Sequence, residues 1–119
     1  LRVIDRSIGK GAFPMLEEAV ELNYSGMLVN GKVFDSSEIQ AHGPVTANLT
    51  ETLAGIREGV LGMQEGGKRI LIVPPSLAFG DEGQPGKVPP NATTIYDIEL
   101  LSVKPAIPKR RIEQEDSKP

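Results

Sequence analysis

The chain has few side chains that could act as nucleophiles or metal ligands. It contains no cysteine, and His42 is its only histidine. A disulfide framework, a thiol nucleophile and a Cys-ligated or His-rich metal site are therefore excluded. His42 stands beside Gly43 and Pro44, which predicts a turn, and there is no Gly-x-Ser-x-Gly elbow to make it the base of a triad. We expect no metal and no cofactor.

Glycines and carboxylates do not form a catalytic pattern either. The glycines around Lys10 and those at 80, 83 and 86 match neither the dinucleotide fingerprint nor the Walker A spacing. The acidic pairs at 17–18 and 81–82 are adjacent in sequence, so their side chains diverge, and we expect them to be solvated. What remains is an ordered set of apolar, aromatic and turn residues.

Size and charge set further limits. The 119 residues suit one domain, and a net charge of −3 argues against nonspecific nucleic-acid binding. The longest apolar run, residues 70–73, is far too short to insert in a membrane. No signal segment is visible, and because the chain begins with Leu1 we expect a processed or trimmed product.

Strand patterns occupy most of the chain. Apolar and polar residues alternate over residues 18–29 and 93–103, as in half-buried strands. Residues 68–73 predict another strand, which Pro74 and Pro75 end, and residues 1–7 a further one. Asn30-Gly31 predicts a type I′ hairpin turn before a return strand at 32–34.

One helix is predicted over residues 52–63, where apolar residues recur every three or four positions. Thr50 or Thr52 is the expected N-cap, and glycines at 66 and 67 the expected end. Its own glycines at 55, 59 and 62 lower its intrinsic stability and indicate that strands approach it closely. The fold class is therefore α+β, with one antiparallel sheet over one short helix.

The last residues, 105–119, form a separate segment. They hold three prolines and little that is apolar, with basic residues first and acidic ones after. The composition predicts a flexible charged tail after a domain at 1–104. A disordered end and a docking segment for a partner both fit it.

Several motifs occur in an order that resembles the FKBP-type peptidyl-prolyl cis-trans isomerases. Together they cover about residues 1–104, and their joint order is what makes the resemblance specific. They are the first signature at 24–28 and 30–37, the helix and following strand at 55–60 and 66–69, the second signature at 72–75, 77–80 and 88–93, and the last strand at 95–101.

The resemblance implies a fold and a reaction. The fold is a five-stranded antiparallel half-barrel wrapped around one short helix. The reaction is rotation about the peptide bond before proline, which is slow without a catalyst. An apolar pocket disfavours the polar planar amide and tolerates the twisted one, so catalysis needs no nucleophile or metal.

The resemblance also assigns site residues. Tyr24, Phe34 and Asp35 match pocket positions of the first signature, and Leu53, preceded by Thr52, matches the position whose amide receives a substrate carbonyl. Seven positions are assigned to catalysis, namely Tyr24, Phe34, Asp35, Leu53, Ile56, Phe79 and Tyr96. Four are assigned to substrate binding, namely Val45, Thr52, Ala78 and Val88.

Four positions depart from the family pattern. Ile56 stands where the pocket floor is usually tryptophan, and Val45 replaces an aromatic wall. Phe79 replaces a tyrosine that donates to the ligand. Gln40 or Ala41 falls where an arginine usually holds the aspartate.

These departures leave two functions open. The first is a prolyl isomerase of reduced activity that assists the folding or assembly of proline-containing client polypeptides and binds macrolides weakly. The second is a binding module or assembly subunit on the same fold, with residual or no activity. Either would act as a monomer or within a larger assembly.

Overall fold

Six strands form one antiparallel sheet, and one main helix packs against it. The structure is a computed structural model that describes residues 1–104. No helix in that part of the chain is long and apolar enough to cross a membrane. The predicted tail at 105–119 lies outside the described residues. In chain order the strands are β1 (Arg2–Ser7), β2 (Ala19–Leu28), β3 (Val33–Ser36), β4 (Val45–Asn48), β5 (Lys68–Val73) and β6 (Thr94–Lys104), and the helices are α1 (Ser37–Ala41) and α2 (Ala54–Leu61).

The six strands occupy five places across the sheet, because two short strands pair with the same neighbour. Its order is β1-β5-β6-β2, and both β3 and β4 then pair with β2 on the same side. β3 pairs with residues 25–27 and β4 with residues 19–22. The α+β class is confirmed, and the expected fifth strand is split in two because α1 interrupts it.

The helix α1 was not predicted. The Ser36 hydroxyl caps its start by accepting a bond from the Ile39 amide at 3.0 Å. It ends after five residues at His42, which has φ 56° in the left-handed region. Five residues are too few to show helical periodicity, but the turn predicted at His42 is confirmed.

The predicted hairpin after β2 is present, but its turn type was wrong. Gly31 has φ +90°, whereas Asn30 is not among the residues of positive φ in the described chain. The Gly31 amide donates to the Leu28 carbonyl, and the Leu28 amide to that of Lys32, both at 2.9 Å. The connection is therefore a three-residue loop ending in a left-handed glycine, rather than a type I′ turn.

The helix α2 is shorter than predicted at both ends. Its N-cap is Leu53, without a side-chain cap, so neither Thr50 nor Thr52 caps it. The Thr52 hydroxyl instead donates to the Leu49 carbonyl at 3.0 Å in the preceding turn. The helix ends at Gly62, ahead of the expected stop at 66–67.

Three glycines place α2 against β5, as the sequence predicted. A Cβ at Gly55 would collide with Val73, and one at Gly59 with Leu71. One at Gly62 would lie 2.8 Å from the Arg69 guanidinium. The helix thus runs along alternate β5 side chains at contact distances that only a missing Cβ allows. Arg69 adds a bond from Nη1 to the Gly59 carbonyl at 2.9 Å, near the end of the helix.

The core lies between α2 and the inner face of the sheet. Val60 and Leu71 are fully buried at the helix–strand contact, and Ile98 and Leu100 continue the layer along β6. Leu49, just before α2, is also fully buried and closes the end near β4. This core fixes both the helix and the strands that surround the site described below.

We predict that Gly59→Ala destabilises the domain. Alanine favours a helix by about 1 kcal/mol over glycine, but overpacking against the buried Leu71 costs about 1–3 kcal/mol. The expected net loss in the free energy of unfolding is up to about 2 kcal/mol, measured by urea denaturation. Gly43→Ala is the control, because an added Cβ there meets nothing within 4 Å. A stabilised Gly59→Ala protein would show that the close approach does not constrain the helix.

Candidate active site

Four of the five aromatic side chains form one continuous group. The Phe34 ring meets those of Phe79 and Tyr96 edge-on, with centroids 5.8 and 5.9 Å apart. Tyr96 in turn lies 6.5 Å from Tyr24, tilted by 45°. These are the separations and tilts that aromatic quadrupoles favour. The fifth aromatic residue, Phe13, is exposed and lies elsewhere.

Strand alternation and pairing bring Tyr24 and Tyr96 to one face. A register shift in the β2–β3 pairing, between Gly26 and Met27, brings Phe34 to the same face. Tyr24 on β2, Phe34 on β3 and Tyr96 on β6 come from three neighbouring strands. Gly26 lies between them on β2, where a Cβ would stand 2.7 Å from Tyr96 Cε1 and 3.1 Å from Phe34 Cζ. The missing side chain at Gly26 is therefore what leaves room for the rings.

A cavity of about 300 Å³ opens beside this group. That volume is at the lower end of the range for ligand pockets, so it suits one ring-sized group better than a large ligand. Its apolar lining is Leu22, Val45, Ala47, Leu53, Ile56, Phe79, Tyr96 and Ile98, and its polar lining is Tyr24, Asp35, Gln40, Thr52, Gln84 and Lys87.

Eight of the eleven residues assigned from the sequence line this cavity, and three do not. Phe34 is buried next to Phe79 and Tyr96, and so supports the wall from behind. Ala78 follows a 3₁₀ turn at Pro75–Leu77 and packs against the core. Val88, expected as an aliphatic wall, is instead 3% exposed and belongs to the core.

Asp35 is held at the edge of the cavity by neutral donors. The Tyr24 hydroxyl donates to Oδ2 at 2.9 Å, and Gln40 Nε2 donates to Oδ1 at 2.8 Å. The Ser36 amide adds a third bond to Oδ1 at 2.9 Å. Gln40 therefore occupies the role that the family pattern gives to an arginine, and no donor among the three carries a charge that would neutralise the carboxylate.

Burial and the Asp35 carboxylate together raise the pKa of both tyrosine hydroxyls. Burial raises the pKa of the Tyr24 hydroxyl, and the hydrogen bond to Asp35 and the carboxylate's charge raise it further. Burial also raises the pKa of Tyr96, with smaller contributions from the charges of Asp35 and Tyr24. Both hydroxyls thus stay protonated well above the pH at which an exposed tyrosine ionises, and Tyr24 remains a donor.

The start of α2 forms the floor of the cavity. Leu53, the N-cap, and Ile56, in the first turn, both line it. The first N–H groups of a helix have no acceptor within the helix. The floor therefore combines an aliphatic surface with backbone donors, and it lacks the tryptophan of the family pattern.

Other lining residues were not assigned from the sequence. Leu22 and Ile98 could have been inferred, since each shares an inward strand face with an assigned tyrosine. Ala47 could not, because β4 was not recognised as a strand. Gln84 and Lys87 lie in a loop whose sequence gives no periodicity from which to place them.

Comparison with known proteins decides the family. The model of the FKBP-type peptidyl-prolyl cis-trans isomerases matches residues 10–101. The chain belongs to this family. The resemblance seen in the sequence is thereby confirmed for most of the FKBP domain.

The similar proteins support the same family and fold. The FKBP-type isomerase FkpA of Escherichia coli is 44% identical over 98 residues, which cover 82% of this chain and 36% of FkpA. Its crystal structure superimposes with a TM-score of 0.82 at 40% identity, over 88% of this chain and 48% of that one. Mip of Coxiella burnetii is 41% identical over 81% of this chain and 41% of its own. The crystal structure of AtFKBP13 gives a TM-score of 0.77 at 35% identity, over 84% of this chain and 90% of that one. The chain thus spans well under half the length of these two curated relatives.

We predict that the two tyrosines of this FKBP domain ionise late in alkaline titration. No other tyrosine and no tryptophan is present, so phenolate absorbance reports Tyr24 and Tyr96 alone. The midpoints should lie well above the ordinary value of about 10. Because the folded-state pKa values are raised, the stability that they contribute is complete below about pH 10 and is lost as the pH rises further.

Asp35→Asn is the matched variant for this titration. It removes the charge while keeping the size of the side chain, so the midpoint of Tyr24 should fall toward that of an exposed tyrosine. Circular dichroism at each pH verifies that the protein is folded. Midpoints near 10 in the folded wild-type protein would contradict the described hydrogen bond and burial.

Proposed function

We propose that this chain is a peptidyl-prolyl cis-trans isomerase acting on Xaa-Pro bonds of polypeptides. The observation that carries the proposal is the cavity, of single-ring size, with aromatic walls, an aliphatic floor and the start of α2 at its base. Membership of the FKBP family, through the match over residues 10–101, supports the same activity.

The proposed mechanism uses the shape and polarity of the cavity. The proline ring sits on Ile56 between Tyr24 and Tyr96, and the apolar surroundings disfavour the charge-separated planar amide relative to the twisted one. The amide of Leu53, at the N-cap, donates to a substrate carbonyl and holds the peptide in place. Each 1.36 kcal/mol by which the twisted state is favoured gives about a tenfold acceleration.

We further propose that the activity is reduced and that macrolides bind weakly. Ile56 offers a smaller and less planar floor than tryptophan, and Phe79 cannot donate a hydrogen bond to a ligand. Clients are proline-containing polypeptides, and the role is to assist folding or assembly, either as a monomer or as part of a larger assembly.

The alternative is a binding module that holds a proline-containing segment without catalysing its isomerisation. The aliphatic floor and Phe79 favour it. They keep a pocket, but they lack the flat aromatic floor and the hydrogen-bond donor of the family pattern. The two functions differ in one measurement, the acceleration of isomerisation in a short peptide.

The experiment is a prolyl isomerisation assay with two matched variants on β4. Ala47 lines the cavity, whereas its neighbour Thr46 is exposed and points away. Ala47→Trp should fill the cavity and lower kcat/KM by about tenfold or more, about 1.4 kcal/mol, whereas Thr46→Trp should retain the wild-type value. No acceleration by wild-type protein, with peptide binding retained, would favour the binding module. Equal rates in the two variants would place the reaction elsewhere.

We predict that Ile56→Trp combined with Phe79→Tyr raises isomerase activity and affinity for macrolides such as rapamycin. The first change provides a flat apolar floor, and the second a hydroxyl whose hydrogen bond contributes about 0.5–1.5 kcal/mol. The expected gain in kcat/KM is about ten- to a hundredfold. Thermal unfolding of each single variant separates this gain from overpacking, which costs about 1–3 kcal/mol. A stable double variant without a gain would show that neither position limits the pocket.

A further inference from the structure

The cavity is lined by two formally charged side chains, Asp35 and Lys87. Asp35 accepts three hydrogen bonds within the protein, as described above. Lys87 is exposed. Within residues 1–104, the basic side chains that form ion pairs are Arg6, with Asp97, and Arg69, with Asp5. Within the described chain the Lys87 ammonium therefore stands at the mouth of the cavity without a carboxylate partner.

The backbone under Lys87 is fixed even though its side chain is free. Gln84 and Val88 form a two-way bridge, with both N–H to O bonds at 2.8 Å, and the Lys87 amide also donates to the Gln84 carbonyl at 2.9 Å. Gly86 supplies the left-handed residue of this tight turn, with φ +80°. Val88 is buried in the core and anchors the turn. The ammonium is thus attached to a fixed point of the rim, and its position varies only within the reach of the lysine side chain.

The one carboxylate of the cavity lining, Asp35, is engaged in three hydrogen bonds, and the carboxylates of the Lys87 loop lie outside the lining. Asp81 and Glu82 lie in the same loop and are exposed, but neither lines the cavity. Glu82 lines the neighbouring groove together with Lys32, and Lys87 stands between the two, lining both the cavity and that groove. Lys87 is therefore the one positively charged side chain in the cavity lining of the described chain.

We propose that Lys87 makes this site prefer polypeptides that carry a glutamate or aspartate next to the proline. The proposal rests on the function proposed above and adds a substrate class to it. A residue flanking a bound proline must cross the rim, where the ammonium attracts a carboxylate and repels a second ammonium. The expected preference is about two- to fivefold in kcat/KM for glutamate over glutamine, the range typical of an exposed ion pair.

The test compares peptides that differ only beside the proline. One set carries glutamate, glutamine or lysine before the proline, and a second set carries them after it. Wild-type kcat/KM should follow the order glutamate, glutamine, lysine in at least one set. The differences should shrink between about 0.01 M and about 1 M salt, because the screening length falls from about 30 Å to about 3 Å. A merely structural role for Lys87 would not produce this salt dependence.

Charge reversal provides the matched comparison. Lys87→Glu should invert the ratio of rates for glutamate and lysine peptides. Lys32→Glu makes the same change in net charge beside the adjoining groove and outside the cavity lining, so it should leave that ratio unchanged. An equal effect of both variants would mean that only the overall charge matters, and would overturn the proposal.

The two proposals fail in different ways. Isomerisation that is equally fast for all peptides would overturn the role of Lys87 and leave the isomerase intact. If no peptide is isomerised, the isomerase proposal fails, and calorimetric titration of the same peptides still measures the charge preference. Affinities that do not depend on peptide charge would then overturn the Lys87 proposal as well.

Discussion

The close contact between α2 and β5 is the constraint on which the site depends. Gly55, Gly59 and Gly62 let the helix lie directly on Val73, Leu71 and Arg69. A helix one Cβ farther out would move Leu53 and Ile56 away from the aromatic walls and widen the cavity. Gly55 and Gly59, which lie inside the helix, weaken it in isolation by about 1 kcal/mol each, so tertiary packing, and not helix propensity, must hold it. The floor of the site thus packs directly on the core beneath it.

A second constraint concerns charge rather than space. Asp35 is oriented by Tyr24 and Gln40, which donate hydrogen bonds but bring no positive charge. An arginine in the place of Gln40 would orient the carboxylate equally well and also neutralise it. With glutamine, the cavity keeps a negative group at one edge, and Lys87 lies among its other lining residues. The orientation of Asp35 is therefore retained, while the charge beside it differs from that of the family pattern.

The sequence predicted the parts of this protein that have periodicity and missed the parts that do not. Residues 68–73 were placed as a strand without error, because an apolar run ends there at two prolines. The glycines of α2 were interpreted correctly as close contacts. By contrast, α1 and β4 were missed, since five and four residues are too short to show a period. The turn at Asn30-Gly31 was assigned the wrong type. The residue pair indicates where the chain turns, but the hydrogen bonds of the flanking strands decide the type of turn.

The residues of the site also divide into those that the sequence pattern predicted and those that it missed. The walls Tyr24 and Tyr96 are also packed strand residues, so a pattern that predicts the core predicts them too. The rim residues Gln40, Gln84 and Lys87 come from a short helix and a loop, where neither alternation nor burial constrains the side chain. A change at a wall affects both stability and binding, because the same atoms fill the core and face the cavity. A change at the rim affects which peptides bind across it and has little effect on stability. For the isomerase proposed above, the walls would then set the rate and the rim would set the choice of client.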